Sequence, residues 1–401
     1  MVSLKVNIIV QRFHPQIVGG AEYHSYLLAK ALQVRGFDVT VLTTTSKDHM
    51  KWEDTYPSGE DSVDGLKVMR FKPRIPRLAM LLKGIKLSLK LAQILKLPAS
   101  FHSYLSRGFM VAQGPYVPEL KTYLGKQTDV LNIFYCYLYY PAVECSKACS
   151  HFILIPTAHD EFALYLEGVE DLMRRASLLL LQTEAEKELI QKTFLNRGAL
   201  KVGAFGFNSP EQLKFASSPH TSPDLDPYFF FAGRIGPGKN IPTLIEYLSK
   251  INRARAIPYK LYLAGSLESS YVLPEIPWVK YLGLITDDLK FDYISGALAV
   301  VNPSKFESLS ILALEALVMG RPLIVNRSCD VLREYSTWSP LCLTFEDDES
   351  LNGSIITASA LLRSANFNEI GLKTKTEVWH RFNWDRTAQI ISHYAGEHSL
   401  E

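Results

Sequence analysis

Short apolar runs rich in Val, Ile, Leu and Phe alternate along the chain with longer stretches in which apolar residues return every three or four positions. The first kind of run reads as a strand buried on both faces, the second as a helix with one face on a core. In the first half the pattern predicts strands over Val6–Val10, Asp38–Leu42, Val130–Phe134, Phe152–Ile155 and Leu178–Gln182. It predicts helices over Ala21–Arg35, closed by Gly36, and over Ala185–Thr193. Between Asn208 and Asp226 the alternation stops, and Ser-Pro pairs at 209–210, 218–219 and 222–223 mark a connecting segment. A second series follows, with strands at Tyr228–Ala232, Lys260–Ala264, Val279–Leu282, Leu298–Asn302 and Pro322–Val325, and helices near Pro242–Asn252 and Ser310–Met319. Strand–helix alternation predicts parallel sheets with crossover helices, so the chain is expected to be α/β with two doubly wound domains, over 1–207 and 208–381. Such sheets take ligands beyond the carboxyl ends of their strands, and two facing units would make a cleft.

Composition narrows the class. A chain of 401 residues suits two cores, and 47% hydrophobic with 21% charged residues reads as globular. Met1 leads straight into a strand pattern and no apolar run reaches the roughly 18–20 residues of a membrane span, so a cytoplasmic protein is expected. Cys136, Cys145, Cys149, Cys329 and Cys342 lack a paired framework and read as reduced thiols, with no zinc site expected. The net charge of +2 conceals a segregation: Gly65 to Pro118 holds ten Lys and Arg and no acid, so the rest is net acidic. That points to an anionic partner for one region. No nucleic-acid-binding motif accompanies it, and none is expected to bind.

Four loops that follow strands carry candidate chemistry. Gly19-Gly20 opens a helix and would let backbone N–H groups approach a phosphate, although a plain tight turn reads equally well. Gly233-Arg234 with Lys239, after the strand Tyr228–Ala232, could set two cations against a diphosphate; solvated loop cations are the alternative. Glu307-Ser308-Leu309-Ser310 begins a helix in which Glu315 lies two turns further on, with Ser308 or Ser310 as a natural cap. Two carboxylates flanking a helix N-terminus suit an extended ligand with hydroxyls at its ends and phosphate between. Glu315 sits among Ala313, Leu314, Ala316 and Leu317, where a solvated carboxylate is less expected. His159 ends a strand, placed for polar contact or proton transfer, while a lone His is more often structural. Asp224-Leu225-Asp226 matches a metal-binding Asp-x-Asp pattern but sits in the connector, and no metal is expected there.

Taken in order, Gly19-Gly20, His159-Asp160, Gly233-Arg234, Lys239-Asn240, Leu263-Ala264-Gly265, Tyr281-Leu282-Gly283, Glu307 with Glu315, and Gly320-x-Pro322 resemble the retaining glycosyltransferases of family four. The resemblance implies the GT-B fold of two Rossmann-like domains facing across a cleft, with a helix near 382–401 crossing back to the first domain. It implies that His159, Arg234, Lys239 and Glu307 serve the reaction, the two cations holding the donor diphosphate without a metal or other cofactor. Glu307 would bind hydroxyls of the sugar and Glu315 those of the ribose. The Ser308–Ser310 backbone would meet sugar and phosphate, and Leu282, Gly283 and Leu284 the base. The chain departs from the pattern in reading Glu-Ser-Leu-Ser where many members read Glu-Gly-Phe-Gly. The partners implied are a nucleotide-sugar, UDP-glucose first, and a saccharide or lipid-linked saccharide acceptor of polysaccharide assembly. A non-catalytic nucleotide-sugar binder, or a phosphorylase or epimerase of the same fold, would keep the same residues.

One stretch lies outside these motifs. Leu78–Leu97 reads as a helix with Lys83, Lys86 and Lys90 on one face and Leu81, Leu82, Ile85 and Leu89 elsewhere, preceded by Arg74 and Arg77. Such a helix could lie on the anionic inner face of the plasma membrane. Equally, its leucines could pack inward and its lysines be solvated.

Overall fold

The computed structural model describes residues 4–14, 17, 19–194, 200–202, 227–268 and 271–398; the expected boundary at 207/208 and Asp224-Leu225-Asp226 lie outside them. The first unit runs β1 (Lys5–Ile9), α1 (Gly20–Val34), β2 (Asp38–Thr44), β3 (Gly59–Val63), β4 (Leu66–Phe71), α2 (Ala79–Ile94), α3 (Ala99–Gln113), α4 (Pro118–Leu124), β5 (Leu131–Tyr135), β6 (Phe152–Ile155), α5 (Glu167–Arg175), β7 (Leu178–Leu181), α6 (Glu184–Phe194) and β8 (Leu200–Val202). Its sheet has the order β3-β4-β2-β1-β5-β6-β7-β8, parallel except for β3, which runs against β4. All four residues of β6 and of β7 are apolar and buried, as covering helices on both faces require.

The second unit runs β9 (Tyr228–Ala232), α7 (Ile241–Arg253), β10 (Lys260–Ala264), β11 (Val279–Gly283), α8 (Asp287–Gly296), β12 (Ala299–Asn302), α9 (Ile311–Val318), β13 (Leu323–Asn326), α10 (Asp330–Trp338), β14 (Cys342–Phe345), α11 (Asp348–Arg363) and α12 (Phe367–Arg381). All six strands are parallel, in the order β11-β10-β9-β12-β13-β14. The direction of winding therefore reverses between β9 and β12, where an open parallel sheet leaves a crevice at its strands' carboxyl ends. In α7 the buried Ile241, Leu244, Ile245 and Leu248 follow the helical period and face the sheet.

The last helix, α13 (Trp384–His398), belongs to the first unit. Arg35 Nε, just past α1, donates to Asp385 Oδ1 at 2.8 Å, and the Trp384 ring lies 5.3 Å from that of His24.

The β3–β4 hairpin was not expected from the apolar pattern. Its turn is Asp64-Gly65, both at positive φ (49° and 77°), the geometry that lets a two-residue loop follow the strands' twist. The hairpin and its surroundings also absorb much of the basic stretch. Lys67 pairs with Asp38 at 2.7 Å, the buried Arg70 with Asp61 at 2.7 Å, Lys72 with Asp54 at 2.6 Å, and Arg74 Nε donates to Glu119 at 2.7 Å. Each of these acids lies outside the acid-free stretch, so part of the charge segregation seen along the sequence is cancelled in space.

Candidate functional site

In the second unit three glycines end three neighbouring strands: Gly233 after β9, Gly265 after β10, and Gly283 closing β11. Gly265 N–H donates to Gly283 O at 2.7 Å, and Gly233 N–H to Ala264 O at 2.9 Å. Gly265 has φ +122°, and a Cβ there would stand 1.9 Å from Gly233 O, so only glycine lets these strand ends run side by side. Beside them Tyr281 OH donates to Gly265 O at 3.0 Å, while Leu284 beyond β11 is largely exposed.

Past Gly233 the chain passes the exposed Arg234 and makes a single 3-10 turn at Pro237–Lys239. Asn240 follows in the left-handed region (φ 58°) and starts α7. Its side chain donates to Pro303 O at 3.1 Å and accepts from Thr243 Oγ1 at 2.8 Å, tying this loop to the end of β12. Lys239 Nζ is thereby brought to Glu307 Oε1 at 2.6 Å. Asn302, the last residue of β12, donates to Glu307 Oε1 at 3.3 Å and to Ser310 Oγ at 2.9 Å. Lys239, Asn302, Glu307 and Ser310 thus form one network at the point where the sheet's winding reverses.

Ser310 precedes α9 as expected of a cap, but its φ of 57° is left-handed and its side chain makes no capping bond. Its hydroxyl is engaged by Asn302 instead. The Leu309 side chain is buried, and its carbonyl accepts from the buried Tyr335 hydroxyl, which fixes the backbone on entry to the helix. Ser308 is half-buried beside it.

Glu315 faces inward at 2% exposure, and burial pushes its carboxyl up from the ordinary range while Lys290 pulls it the other way. Lys290 Nζ, on α8, lies 2.7 Å from Glu315 Oε1 and 2.9 Å from Asp287 Oδ1. Glu307 and Glu315, eight positions apart in sequence, therefore take separate lysines as partners.

The first unit holds the two remaining candidates. Gly19 caps α1, and a Cβ there would meet Glu22 Oε2 at 2.1 Å, whereas Gly20 has open space. Glu22 is buried with Arg12, accepting from Arg12 Nε at 3.0 Å and Gln11 Nε2 at 2.8 Å, so an internal ion pair sits under the glycine pair. His159 is half-buried, two residues after Thr157, which has positive φ (53°). The adjoining Ala158 N–H donates to the buried Glu186 at 2.6 Å, as does Gln182 N–H at 2.7 Å. Burial raises the Glu186 carboxyl to about 7 against the pull of those two bonds.

Reading the sequence missed Lys290, Asn302, Glu186 and Glu268. Glu268 Oε1 accepts from Gly238 N–H at 3.1 Å, and a Cβ on Gly236 or Gly238 would lie within 2.6 Å of its carboxylate group. Room for Glu268 thus accounts for both glycines of the Gly236-Pro237-Gly238 loop. Among these four, Lys290 had the clearest signal: a carboxylate amid Ala and Leu requires a cation from another element.

Residues 226–358 match the family described as Glycosyl transferases group 1, and this segment contains the whole Lys239–Glu307 network. An uncharacterized glycosyltransferase of Methanocaldococcus jannaschii is 27% identical over 190 residues, 45% of this chain; the match spans about half (47%) of that protein's length. Solved structures resemble the chain nearly end to end. Sucrose-phosphate synthase of Thermosynechococcus elongatus has a TM-score of 0.65 at 15% identity, over 99% of this chain and 100% of its own. The trehalose-6-phosphate synthase OtsA has 0.66 at 14%, over 98% and 99%. Anabaena HepE in complex with UDP-glucose has 0.64 at 14%, over 98% and 99%. At these identities the likeness is one of fold, and that fold is GT-B.

Proposed function

We propose that the protein is a retaining, metal-independent hexosyltransferase that moves a sugar from a nucleotide donor, UDP-glucose first, to a saccharide or lipid-linked saccharide in polysaccharide synthesis. The observation that carries this reading is the Lys239–Glu307–Asn302–Ser310 network at the carboxyl ends of β9 and β12, inside the segment that matches the group 1 glycosyltransferases.

The donor diphosphate lies against Lys239 and Arg234 and the N-terminus of α9, whose dipole favours an anion. Glu307, already oriented by Lys239 and Asn302, accepts a hydroxyl of the hexose. Glu315 accepts ribose hydroxyls beside Lys290, and the base meets Leu282, Gly283 and Leu284. In the reaction the acceptor oxygen bonds to the anomeric carbon as the bond from that carbon to the phosphate oxygen breaks. The acceptor proton passes to the departing phosphate on the same face, which retains configuration. The two cations stabilise the charge that gathers on the diphosphate. In the first unit the Ala158–Glu186 bond braces the loop that carries His159. HepE, which has this fold, binds UDP-glucose, and that supports the choice of first donor.

A panel of nucleotide-sugars, assayed for the nucleotide released, tests the reading. Slow release of UDP from UDP-glucose is expected without acceptor, faster than release from GDP-sugars and unchanged by a chelator. Equal turnover of UDP- and GDP-sugars would refute the donor assignment, and loss of turnover on chelation would refute metal independence. Release of inorganic phosphate, or isomerised sugar without acceptor, would identify a phosphorylase or an epimerase. Binding without any turnover would identify a non-catalytic module.

A further inference from the structure

Helix α2 is apolar on two opposite faces, and among the described residues the first unit covers only one of them. Leu82, Ile85, Leu89 and Ala92 recur at helical spacing and are buried. Met80, Leu87, Leu91 and Ile94 recur on the opposite side and stand 80%, 60%, 49% and 74% exposed. Leu95 just past α2 and Tyr104 of α3 are also largely exposed. A surface helix ordinarily turns polar residues outward, so a second apolar stripe along its whole length calls for a partner.

The charges beside the stripe indicate which partner. Four cations of the acid-free stretch are taken by acids elsewhere in the unit, as described above, and Arg77 donates to Gln113 Oε1 at 3.2 Å. Lys83 and Lys90 flank the outward stripe on one side, exposed, and make no ion pair among the described residues; nor does Lys96, just beyond the helix. Lys86 shares that flank, its Nζ lying 5.4 Å from the centre of the Phe162 ring. Glu167 and Glu170 of α5 share a cavity of about 380 Å³ with Lys90 and bound the basic flank on its inner side. No acid occurs within α2, α3 or the chain joining them. An apolar stripe edged by lysines fits the surface of an anionic bilayer, where leucines enter among head groups and ammonium groups meet phosphates.

We infer that the outward face of α2, with Lys83, Lys86 and Lys90, docks the protein onto an anionic lipid surface. Among the described residues no helix is long and apolar enough to cross a membrane, so the contact is peripheral. Docking does not depend on the transfer chemistry, and its test is read without turnover.

The test is co-sedimentation of the full chain with phosphatidylcholine vesicles containing zero to 40% phosphatidylglycerol (about the range in which charge dominates). Binding is expected to rise with anionic lipid and fall with salt. Lys83, Lys86 and Lys90 all changed to Glu should weaken it about a hundredfold or more. Leu87→Asn with Leu91→Asn should weaken it at unchanged charge. All five positions lie outside the donor site, so UDP release in solution should match that of the unchanged protein. No binding to any vesicle would overturn the inference, as would binding indifferent to lipid charge, salt and the triple change. A lipid-free dimer that the Leu87/Leu91 variant dissociates would also overturn it, because a second copy of the chain would then be what covers the stripe.

Discussion

Lys239→Ala should lower turnover of the nucleotide-sugar by a factor of about 30 to 1,000, equivalent to roughly 2–4 kcal/mol of transition-state stabilisation. Two effects add. The ammonium group that faces the departing diphosphate is removed, and Glu307, whose side chain is only 12% exposed, loses its cation at 2.6 Å. The Asn302 amide, at 3.3 Å, is too long a contact to replace that cation. A double-mutant cycle separates the two contributions. Glu307→Gln should cost clearly less in the Lys239→Ala background than in the unchanged protein, because the pair acts as one unit. Turnover of Lys239→Ala within about threefold of the unchanged protein, under ~1 kcal/mol, would show that the diphosphate does not lie there.

Lys290→Ala should have the largest effect on stability, about 3–5 kcal/mol in urea unfolding, because it strands a buried carboxylate. Glu315 is 2% exposed, in a helix whose other residues are nearly all buried and apolar. Nζ of Lys290 at 2.7 Å is the cation that offsets its burial. Changing Lys290 to Met and Glu315 to Leu together should recover most of the loss, since removing both charges leaves no unpaired one. The double variant should still bind nucleotide poorly, which separates the structural part of Glu315 from its part in holding ribose. A loss below ~1 kcal/mol for Lys290→Ala would mean that Glu315 takes up a proton when its partner is gone.

Short apolar strands were the most legible part of the chain. Phe152–Ile155, Tyr228–Ala232 and Lys260–Ala264 occur with the limits expected of them, because a short apolar run between turn signals has few other readings. The β3–β4 hairpin was missed because Gly59–Val63 is mostly polar: as an edge strand it has little to bury, and Asp64-Gly65 was its one signal. Fold alone does not explain the glycines. Gly265 answers to the carbonyl of Gly233, Gly236 and Gly238 to Glu268, and Gly19 to Glu22, so the neighbours that require them are invisible to local reading.

The candidate site was legible where chemistry is local and obscure where it depends on a distant partner. Lys239 and Glu307 stand 68 positions apart, yet each could be singled out by its place at the end of a strand, and the structure brings them together. Lys290 was signalled only indirectly, by the apolar surroundings of Glu315, and Glu268 not at all, since a lysine or glutamate reads as solvated until the group it serves is placed. Arg70 makes the same point in reverse: it contributes to the run of positive charge along the sequence, and it is 2% exposed on Asp61.

Amide hydrogen exchange with and without saturating UDP-glucose tests the central claim most directly, because it locates the donor without relying on turnover. Ligand bound at the carboxyl ends of the second unit's strands should slow exchange in residues 232–240, 279–286 and 304–316. Residues 255–259, at the opposite ends of the same strands, should exchange as before. Protection absent from 232–240 and 304–316, or confined to other segments, would contradict the account.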